Sequence, residues 1–291
     1  MREVVILSGK GGTGKTSLAG SLAAIVPNNV MADCDVDAAD LHLLLQPTAT
    51  ESHEFWSGQV ARIDKERCTQ CGICQTMCRF HAISGYKVDP IACEGCGFCA
   101  ELCPFKAITM KPNLSGHWFV SQTAYGPLVH ARLGIGQENS GKLVALVRQK
   151  AREIAERDNL DYILSDGPPG TGCPVISSLS GADLALIVTE PTLSGRHDLE
   201  RVLGVCRHFN IPALVAVNKY DINEDNTQHI EDYCHNLGVA VAARIPYDNV
   251  VTRALAAGKP VVEYDGDSAV SREINKLWQQ VSQTLAGSRV N

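Results

Sequence analysis

Residues 4–16 read VVILSGKGGTGKT, and this stretch decides the fold. Val4–Leu7 is continuously apolar, which is typical of a strand buried on both faces of a parallel sheet. A glycine-rich turn follows it, and the Ala- and Leu-rich segment from Thr16 to Val26 is expected to form a helix. In this order, the backbone N–H groups of the turn and the N-terminus of the helix surround a phosphate group. The stretch therefore predicts a phosphate-binding loop.

Apolar segments continue to alternate with helical ones along the rest of the chain. Ser140 is expected to cap a helix that runs to about Arg157, and Ser268 to cap a last amphipathic helix. The predicted strands after the first are Asn29–Ala32, His117–Gln122, Leu128–Arg132, Tyr162–Ser165, Leu184–Val188 and Ala213–Val217. This alternation predicts an α/β fold with a mostly parallel sheet and helices on both faces.

The phosphate loop supplies the groups that a nucleotide with a bound Mg²⁺ ion requires. The Lys15 ammonium neutralises phosphate charge, and the Thr16 hydroxyl is a ligand for Mg²⁺. The residues expected to contact the phosphates are Gly11, Gly12, Thr13, Gly14, Lys15, Thr16 and Ser17. The sequence therefore predicts a Mg²⁺-nucleotide site at the end of the first strand.

A second lysine, Lys10, lies five residues before Lys15. The run KGGTGKT over residues 10–16 resembles the deviant phosphate loop of the MinD, ParA, Mrp and nitrogenase iron protein class of P-loop ATPases. The resemblance implies slow, partner-coupled ATP hydrolysis by a homodimer, or by a heterodimer with a related ATPase. It also implies that Lys10 reaches the nucleotide of the facing subunit; the alternative is a solvated surface lysine.

The same resemblance assigns roles to residues outside the loop. Asp35 resembles the switch I aspartate that positions the attacking water and supports Mg²⁺. Asp166 resembles the switch II aspartate that holds Mg²⁺ through water, with a helix cap as the alternative, and Gly170 is expected to donate its amide to the γ-phosphate. Asp33 and Asp37 either take part directly or cap turns. The residues implied at the base are Asn218, Pro246, Tyr247 and Asp248.

A cysteine-rich segment interrupts this pattern. Eight of the twelve cysteines lie between residues 68 and 103, in two copies of the spacing Cys-x2-Cys-x2-Cys-x3-Cys at an offset of 25 residues. This spacing is typical of ferredoxins with two [4Fe–4S] clusters, in which the fourth cysteine of each run binds the other cluster. We therefore expect one cluster on Cys68, Cys71, Cys74 and Cys103, and another on Cys93, Cys96, Cys99 and Cys78.

A zinc site is the alternative for these cysteines. Structural zinc usually takes four thiolates in paired Cys-x2-Cys hooks, so the third regularly spaced cysteine of each half is surplus to that pattern. Cys103 is followed by Pro104, whereas Cys78 is followed by Arg79, whose charge is expected to raise the potential of the second cluster modestly. Cys173 is either a small residue packed in a loop or, as in the nitrogenase iron protein, a ligand of a cluster shared by two subunits.

The change in composition at the cysteines divides the chain into three parts. Residues 1–60 and 112–291 are expected to form the P-loop ATPase domain, and residues 61–111 an inserted, small α+β ferredoxin-like domain. The whole chain resembles the MinD-superfamily ATPases with such an insertion. The expected cofactors are two [4Fe–4S] clusters, ATP and Mg²⁺.

Composition and charge exclude several classes of protein. The net charge of −6 argues against broad nucleic-acid binding. No segment has the length of a membrane-spanning helix, and residues 285–291 are too short and too polar to target a membrane. The first strand is not a signal peptide, so we expect a cytoplasmic protein whose thiols stay reduced.

Two function classes remain open, with a third that the sequence favours less. In the first, ATP gates electron transfer from the clusters to a redox or iron–sulfur partner protein. In the second, the chain is a cluster carrier or assembly ATPase of the Mrp type, although it has no Cys-x2-Cys pair after Cys234. The third is positioning on a membrane or on DNA, as in MinD or ParA.

Overall fold

The computed structural model describes residues 1–137 and 139–287. The end of the predicted polar C-terminal segment, from residue 288 onward, lies outside this range. The chain forms two compact units: the first unit comprises residues 1–52, 118–131 and 140–291, and the second unit comprises residues 53–117 and 132–139. None of the helices in the described ranges is both long enough and apolar enough to cross a membrane.

The strands and helices alternate along most of the chain. The strands are β1 (Arg2–Ser8), β2 (Asn29–Asp33), β3 (Ala49–Ile63), β4 (Ile83–Ser84), β5 (Lys87–Val88), β6 (Ile108–Thr123), β7 (Gly126–Leu133), β8 (Tyr162–Pro169), β9 (Leu184–Thr189), β10 (Ala213–Asn218) and β11 (Ala240–Ile245). The helices are α1 (Lys15–Ile25), α2 (Leu41–Leu45), α3 (Ile73–Met77), α4 (Phe98–Glu101), α5 (Ser140–Arg157), α6 (Cys173–Leu179), α7 (Leu193–His208), α8 (Glu224–Asn236), α9 (Asn249–Ala256), α10 (Val261–Tyr264) and α11 (Ala269–Gly287).

Nine strands of the described residues form one sheet, in the order β11-β10-β9-β1-β8-β2-β7-β6-β3. The pairs β11–β10, β10–β9, β9–β1, β1–β8, β8–β2 and β2–β7 are all parallel. β6 and β7 are neighbours joined by the turn 124–125, and so short a connection requires antiparallel strands. The prediction of a mostly parallel sheet is confirmed.

Alternate residues of β1 face two separate hydrophobic cores. Val4 and Ile6 pack in a core with residues of α1 and α11, whereas Val5 and Leu7 pack in a core with residues of α6 and α7. All four side chains are fully buried. The continuous apolar run in the sequence therefore reflects a strand covered by helices on both faces.

Most predicted elements are present, although several have different ends. α5 runs from Ser140 to Arg157, so the predicted extent of this helix is confirmed with Ser140 as its first residue, and Ser268 Oγ accepts the Ser271 amide at 3.1 Å at the start of α11. The strand predicted from His117 begins at Ile108 instead. Neither β3 nor β11 is predicted from the sequence, because polar side chains dominate β3 and alanines dominate β11.

In the second unit, the 25-residue repeat of the cysteines is also a repeat of backbone conformation. Gly72 and Gly97 each precede a short helix, α3 or α4, in the left-handed conformation that glycine adopts without strain. Three pairs of residues at this offset have left-handed φ angles: Gln70 (59°) and Gly95 (65°), Gly72 (81°) and Gly97 (77°), and His81 (52°) and Lys106 (47°). Both halves therefore fold in the same way, and residues 61–111 all lie within the second unit.

Candidate functional site

The phosphate loop joins β1 to α1 in the first unit. Gly12 and Gly14 have φ angles of 80° and 88°, in the left-handed region that favours glycine. A Cβ atom at Gly14 would also collide with the side-chain amide of Asn218. The turn therefore requires glycine at this position for two reasons, and α1 begins directly after it at Lys15 with its N-terminus at the loop.

Lys15 is buried and paired with Asp166. Its Nζ lies 2.6 Å from Asp166 Oδ1, with the two side chains 7% and 1% exposed. Burial is the largest single influence and opposes the charge on Lys15, but the attraction and hydrogen bond of Asp166, together with the charges of Asp33 and Asp35, raise the pKa of the lysine above its usual value. The two predicted phosphate-site residues are thus in direct contact, and a phosphate that binds Lys15 competes with Asp166.

The aspartates that follow β2 separate into two kinds. Asp33 is fully buried, and its two carboxylate oxygens accept the Asp35 amide at 3.1 Å and the Leu41 amide at 3.2 Å. Burial, together with Asp166, raises the pKa of Asp33 well above its usual value. Asp33 therefore caps the turn, as one of its two predicted alternatives states. Asp35 and Asp37 instead line the neighbouring cavity.

A cavity of about 790 Å³ in the first unit is lined by most of the predicted nucleotide residues but not by Lys10, Asp166 or Gly170, and we call it the nucleotide cavity. Asp35 is half-buried at its edge, where burial raises the pKa of its carboxyl although Lys15 opposes the shift. Asp40 also lines the cavity and is not predicted from the sequence. The predicted residues that line the cavity are Gly11, Gly12, Thr13, Gly14, Lys15, Thr16, Ser17, Asp35, Asn218, Pro246, Tyr247 and Asp248.

The residues predicted to contact the base also make hydrogen bonds within the protein. Asn218 Nδ2 donates a hydrogen bond to the Thr13 carbonyl at 2.7 Å, so this side chain braces the phosphate loop from the end of β10. Tyr247 is exposed, and its amide donates to Asp221 Oδ1 at 2.7 Å. Asp248 caps α9 by accepting the Val250 amide at 2.8 Å. Each of these residues thus has a structural role beside the one predicted.

Lys10 lies at the mouth of the loop and contacts the segment between β9 and α7. Its Nζ is 3.4 Å from Glu190 Oε2, 3.4 Å from Thr192 Oγ1 and 3.2 Å from Ser194 Oγ. Lys219 Nζ lies 2.5 Å from the other oxygen of Glu190 and 3.4 Å from the Gly12 carbonyl. Glu190 is not predicted from the sequence, because only the fold brings residue 190 beside residues 10 and 219.

Two predicted residues near Asp166 lie outside the lining of the nucleotide cavity. The Gly170 amide donates to the Ser8 carbonyl at 2.9 Å, so in this conformation it has a partner other than a phosphate. Cys173 is exposed at the first position of α6. The exposure of Cys173 does not fit the alternative of a residue packed in a tight loop.

The eight cysteines of the second unit line two cavities. One cavity is lined by Cys68, Cys71, Cys74 and Cys103, and the other by Cys78, Cys93, Cys96 and Cys99. Arg79 and Glu94 line the second cavity as well, and its volume is about 330 Å³. Each cavity thus collects three cysteines from one half of the repeat and the fourth from the other half.

The sulfur atoms have matching environments in the two halves. The Ala82 amide donates to Cys78 Sγ at 3.4 Å, and the Ala107 amide donates to Cys103 Sγ at 3.3 Å. Burial and the neighbouring cysteines raise the pKa of the Cys74 and Cys99 thiols. An N–H group that donates to sulfur favours the thiolate, which is the form that binds metal.

Four thiols around each of two cavities match the number of thiolates that a cubane cluster takes, although the two cavities differ in volume, about 20 Å³ for the first and about 330 Å³ for the second. All twelve cysteines are free of disulfide bonds. Within residues 1–137 and 139–287, no group of three or more His, Cys, Asp and Glu side chains is arranged to hold a single metal ion. In the nucleotide cavity, the buried hydroxyl Thr13 Oγ1 has no hydrogen-bond partner among the residues that the structure describes, which suits a polar ligand.

Comparison with known proteins agrees with this architecture. An uncharacterised protein of Methanocaldococcus jannaschii is 33% identical over 286 residues, which are 97% of each chain. An iron–sulfur cluster carrier protein of Aquifex aeolicus is 28% identical over 145 residues, 46% of this chain and 40% of the carrier. The septum site-determining protein MinD of Pyrococcus horikoshii, solved with Mg-ADP, has the same fold, with a TM-score of 0.62 at 21% identity over 100% of this chain and 99% of MinD.

One protein-family model matches most of the chain. The family model named "CobQ/CobB/MinD/ParA nucleotide binding domain" matches residues 4–261, which include the phosphate loop, Asp35, Asp166 and the segment around Tyr247. The matched range also spans both units of the structure. The chain therefore belongs to the CobQ/CobB/MinD/ParA nucleotide-binding family.

Proposed function

We propose that this chain is a Mg²⁺-dependent ATPase that carries two [4Fe–4S] clusters and couples ATP-driven pairing of its subunits to electron transfer. One observation carries the proposal: two cavities of the second unit are each lined by four cysteines, divided between the halves as the spacing predicts. Two cubane clusters need eight thiolates in this crossed arrangement. We infer that the second unit is an inserted ferredoxin-like domain.

The residues of the second unit fit this role chemically. The Ala82 and Ala107 amides stabilise the thiolates of Cys78 and Cys103 by the hydrogen bonds described above. When bound, [4Fe–4S] clusters supply one-electron transfer at a potential that the surrounding charges and hydrogen bonds set. Arg79 lines the second cavity and favours a higher potential of that cluster, whereas Glu94 lines the same cavity and opposes this effect.

The first unit is proposed to bind and hydrolyse ATP. Lys15 exchanges Asp166 for the phosphates, which frees the Asp166 carboxylate to support Mg²⁺ with the Thr16 hydroxyl. Asp35, at the edge of the nucleotide cavity, orients the attacking water. Among the described residues, the cationic side chains that line this cavity are Lys15 and Lys219 alone. We therefore expect slow turnover that a partner stimulates.

Lys10 is proposed to complete the site of a facing subunit, in a homodimer or in a heterodimer with a related ATPase. A cation supplied in trans stabilises charge that develops on the transferred phosphate. Mixing inactive Lys10→Ala with inactive Asp35→Ala protein tests this role. In a mixed dimer, one site keeps its own Asp35 and receives Lys10 from its partner, so we expect part of the ATPase activity to return. Mixed dimers that stay inactive would leave Lys10 with an in-cis role.

Cluster delivery is the second candidate function. It is favoured by the similarity to an iron–sulfur cluster carrier protein over somewhat less than half of this chain. Four thiols at each cavity favour electron transfer instead, because a carrier benefits from a cluster that is incompletely ligated and easily released. The two functions differ in whether iron leaves the chain during ATP turnover.

The experiment follows iron and electrons in the same sample. Reduced protein, prepared without oxygen, is mixed with Mg²⁺-ATP and either a viologen-type electron acceptor or an apo-ferredoxin that lacks its cluster. Electron transfer predicts that ATP speeds cluster oxidation while iron stays with the chain, and that Lys15→Ala removes the effect of ATP. Transfer of iron to the apo-ferredoxin, with no effect of ATP on oxidation, would favour the carrier function and contradict our proposal.

A further inference from the structure

Glu190 binds two lysines that come from different parts of the nucleotide site. One oxygen of its carboxylate lies 2.5 Å from Lys219 Nζ, and the other lies 3.4 Å from Lys10 Nζ. The Glu190 side chain is 13% exposed, whereas the two lysine side chains are 31% and 30% exposed. A single carboxylate thus allows two ammonium groups to approach the phosphate loop together.

The two contacts differ in strength. Lys219 Nζ donates a hydrogen bond to the Glu190 carboxylate, whereas the longer contact of Lys10 with that carboxylate is an ion pair without a close hydrogen bond. Lys219 also contacts the Gly12 carbonyl at 3.4 Å, which ties it to the phosphate loop. The remaining partners of Lys10 are two hydroxyls at the start of α7, Thr192 and Ser194. Lys10 is therefore the lysine that leaves Glu190 more easily.

Lys219 lowers the free-energy cost of moving Lys10 away from Glu190. Removing the only cation from a buried carboxylate leaves an uncompensated charge, which is strongly unfavourable. Glu190 keeps Lys219 when Lys10 moves away, so its charge stays compensated. With Lys219 absent, Lys10 would be the only cation beside Glu190 among residues 1–137 and 139–287, and it would be held more firmly.

We propose that Glu190 is a positioning residue that holds Lys10 within its own subunit until the subunits pair. Glu190, Thr192 and Ser194 form this cradle, and Lys219 keeps it compensated when Lys10 is released to the facing nucleotide. The exchange on pairing rests on the proposed function, in which Lys10 acts in trans. The cradle itself is a property of the single subunit.

Two substitutions with opposite expected effects on dimerisation test whether Lys10 leaves Glu190 when the subunits pair. Glu190→Gln removes the attraction that keeps Lys10 in cis, so we expect ATP-dependent dimers to form at a several-fold lower protein concentration. Lys219→Met leaves Glu190 to Lys10 alone, so we expect dimers to require a several-fold higher concentration. Ser194→Ala removes one Lys10 contact without touching Lys219, and it should act as Glu190→Gln does, but more weakly. Dimerisation is measured by analytical ultracentrifugation, with ATP binding measured in parallel so that each variant is compared at saturation.

A general loss of structure would move both variants in the same direction, and that result would overturn the proposal. Glu231→Gln is the matched control, because Glu231 is 16% exposed and bound to Arg244 away from the nucleotide cavity. This control should leave dimerisation unchanged. An effect of the control equal to that of Glu190→Gln would also count against a specific role.

Amine labelling tests the cradle without any dimer. In the nucleotide-free holoprotein, Lys10 acetylation by a short pulse of acetic anhydride, measured by mass spectrometry, should be several-fold faster in Glu190→Gln than in the parent. Equal labelling rates would overturn the cradle. If the parent stays monomeric with ATP, the pairing in the proposed function fails and so does the exchange, whereas the labelling result still decides whether Glu190 holds Lys10.

Discussion

The two units of this chain hold their sites in different ways. In the first unit, the nucleotide cavity lies at the end of strand β1, which is buried from residue 3 to residue 8, and Lys15, Asp33 and Asn218 already have protein partners. In the second unit, α3 and α4 contain no buried residue, and large apolar side chains of the cysteine segment such as Phe80, Phe98 and Phe105 are 41–49% exposed. The comparison teaches that the nucleotide cavity is organised by the protein core, whereas the helices of the cysteine segment contribute no buried side chain to a core.

Of the tests proposed, removing iron should change the difference between the two units most strongly, because it acts on the second unit only. A structural metal site contributes on the order of 10 kcal/mol to folding in small metal-dependent domains. We expect chelation under reducing conditions to remove hydrogen-exchange protection from residues 53–117 and to leave the sheet strands β1, β8 and β9 protected. Hydrogen exchange with mass spectrometry measures both units in one sample. Equal protection of the cysteine segment with and without iron would show that this unit has a sufficient core of its own.

Two substitutions in the first unit should change ATP binding or turnover and leave the iron content of the second unit unchanged. Lys15→Ala should weaken ATP binding on the order of 100-fold, because the loss of charge-assisted hydrogen bonds costs about 3 kcal/mol. Asp35→Ala should retain binding and lose turnover, because the water is no longer positioned. Isothermal titration and phosphate release separate the two effects, and the iron content of both variants should match that of the parent. Parental hydrolysis by Asp35→Ala would refute the switch I assignment.

Cys96→Ser should remove one cluster and leave the other, because Cys96 lines only one of the two cavities. We expect the iron content to fall by about half, since each cluster takes four thiolates. Cys173→Ser is the control: both residues are exposed cysteines, but Cys173 lies in the first unit. Loss of iron from the Cys173→Ser protein would instead support a ligand role for that residue.

The smallest effect is expected from a buried histidine of the first unit. His130 is 8% exposed, and burial beside His42 lowers its pKa from 6.5 to about 4. Because the pKa of His130 is lower in the folded protein than in the unfolded protein, the unfolded protein binds more protons between pH 6.5 and pH 4. The contribution of the neutral, buried His130 to the free energy of unfolding is therefore complete above pH 6.5 and is lost as the pH falls towards 4. The free energy of unfolding should therefore fall by up to about 3 kcal/mol more in the parent than in His130→Phe between pH 7 and pH 4. Denaturant titrations at the two pH values measure the difference, and parallel pH profiles would contradict the burial argument.

The sequence predicts most of the first unit because its signals are local. The apolar run before the phosphate loop and the glycines within it have direct structural counterparts at β1, Gly12 and Gly14. β11 escapes prediction because alanines carry little strand signal, and its place is decided by pairing with β10. Glu190 escapes for a related reason: its two lysine partners are separated from it by 180 and 29 residues along the chain, since residues 10, 190 and 219 meet only in the fold.

In the second unit, the spacing of the cysteines anticipates which of them share a cavity. Each half supplies its fourth cysteine to the cavity of the other half, and the left-handed residues His81 and Lys106 follow Cys78 and Cys103 at matching positions. Arg79 lines the second cavity, as its place directly after Cys78 predicts, whereas spacing alone does not predict that Glu94 lines the same cavity or that neither residue lines the other. Those positions depend on the path of the backbone around each group of sulfurs.

The most direct test of the central claim is the metal content of the chain prepared without oxygen. Iron, acid-labile sulfide and zinc are measured on the same sample as protein concentration, and EPR spectra are recorded after reduction. Two [4Fe–4S] clusters predict about eight iron and eight sulfide per chain, with the signals of reduced cubane clusters. Stoichiometric zinc with neither iron nor sulfide would contradict the account.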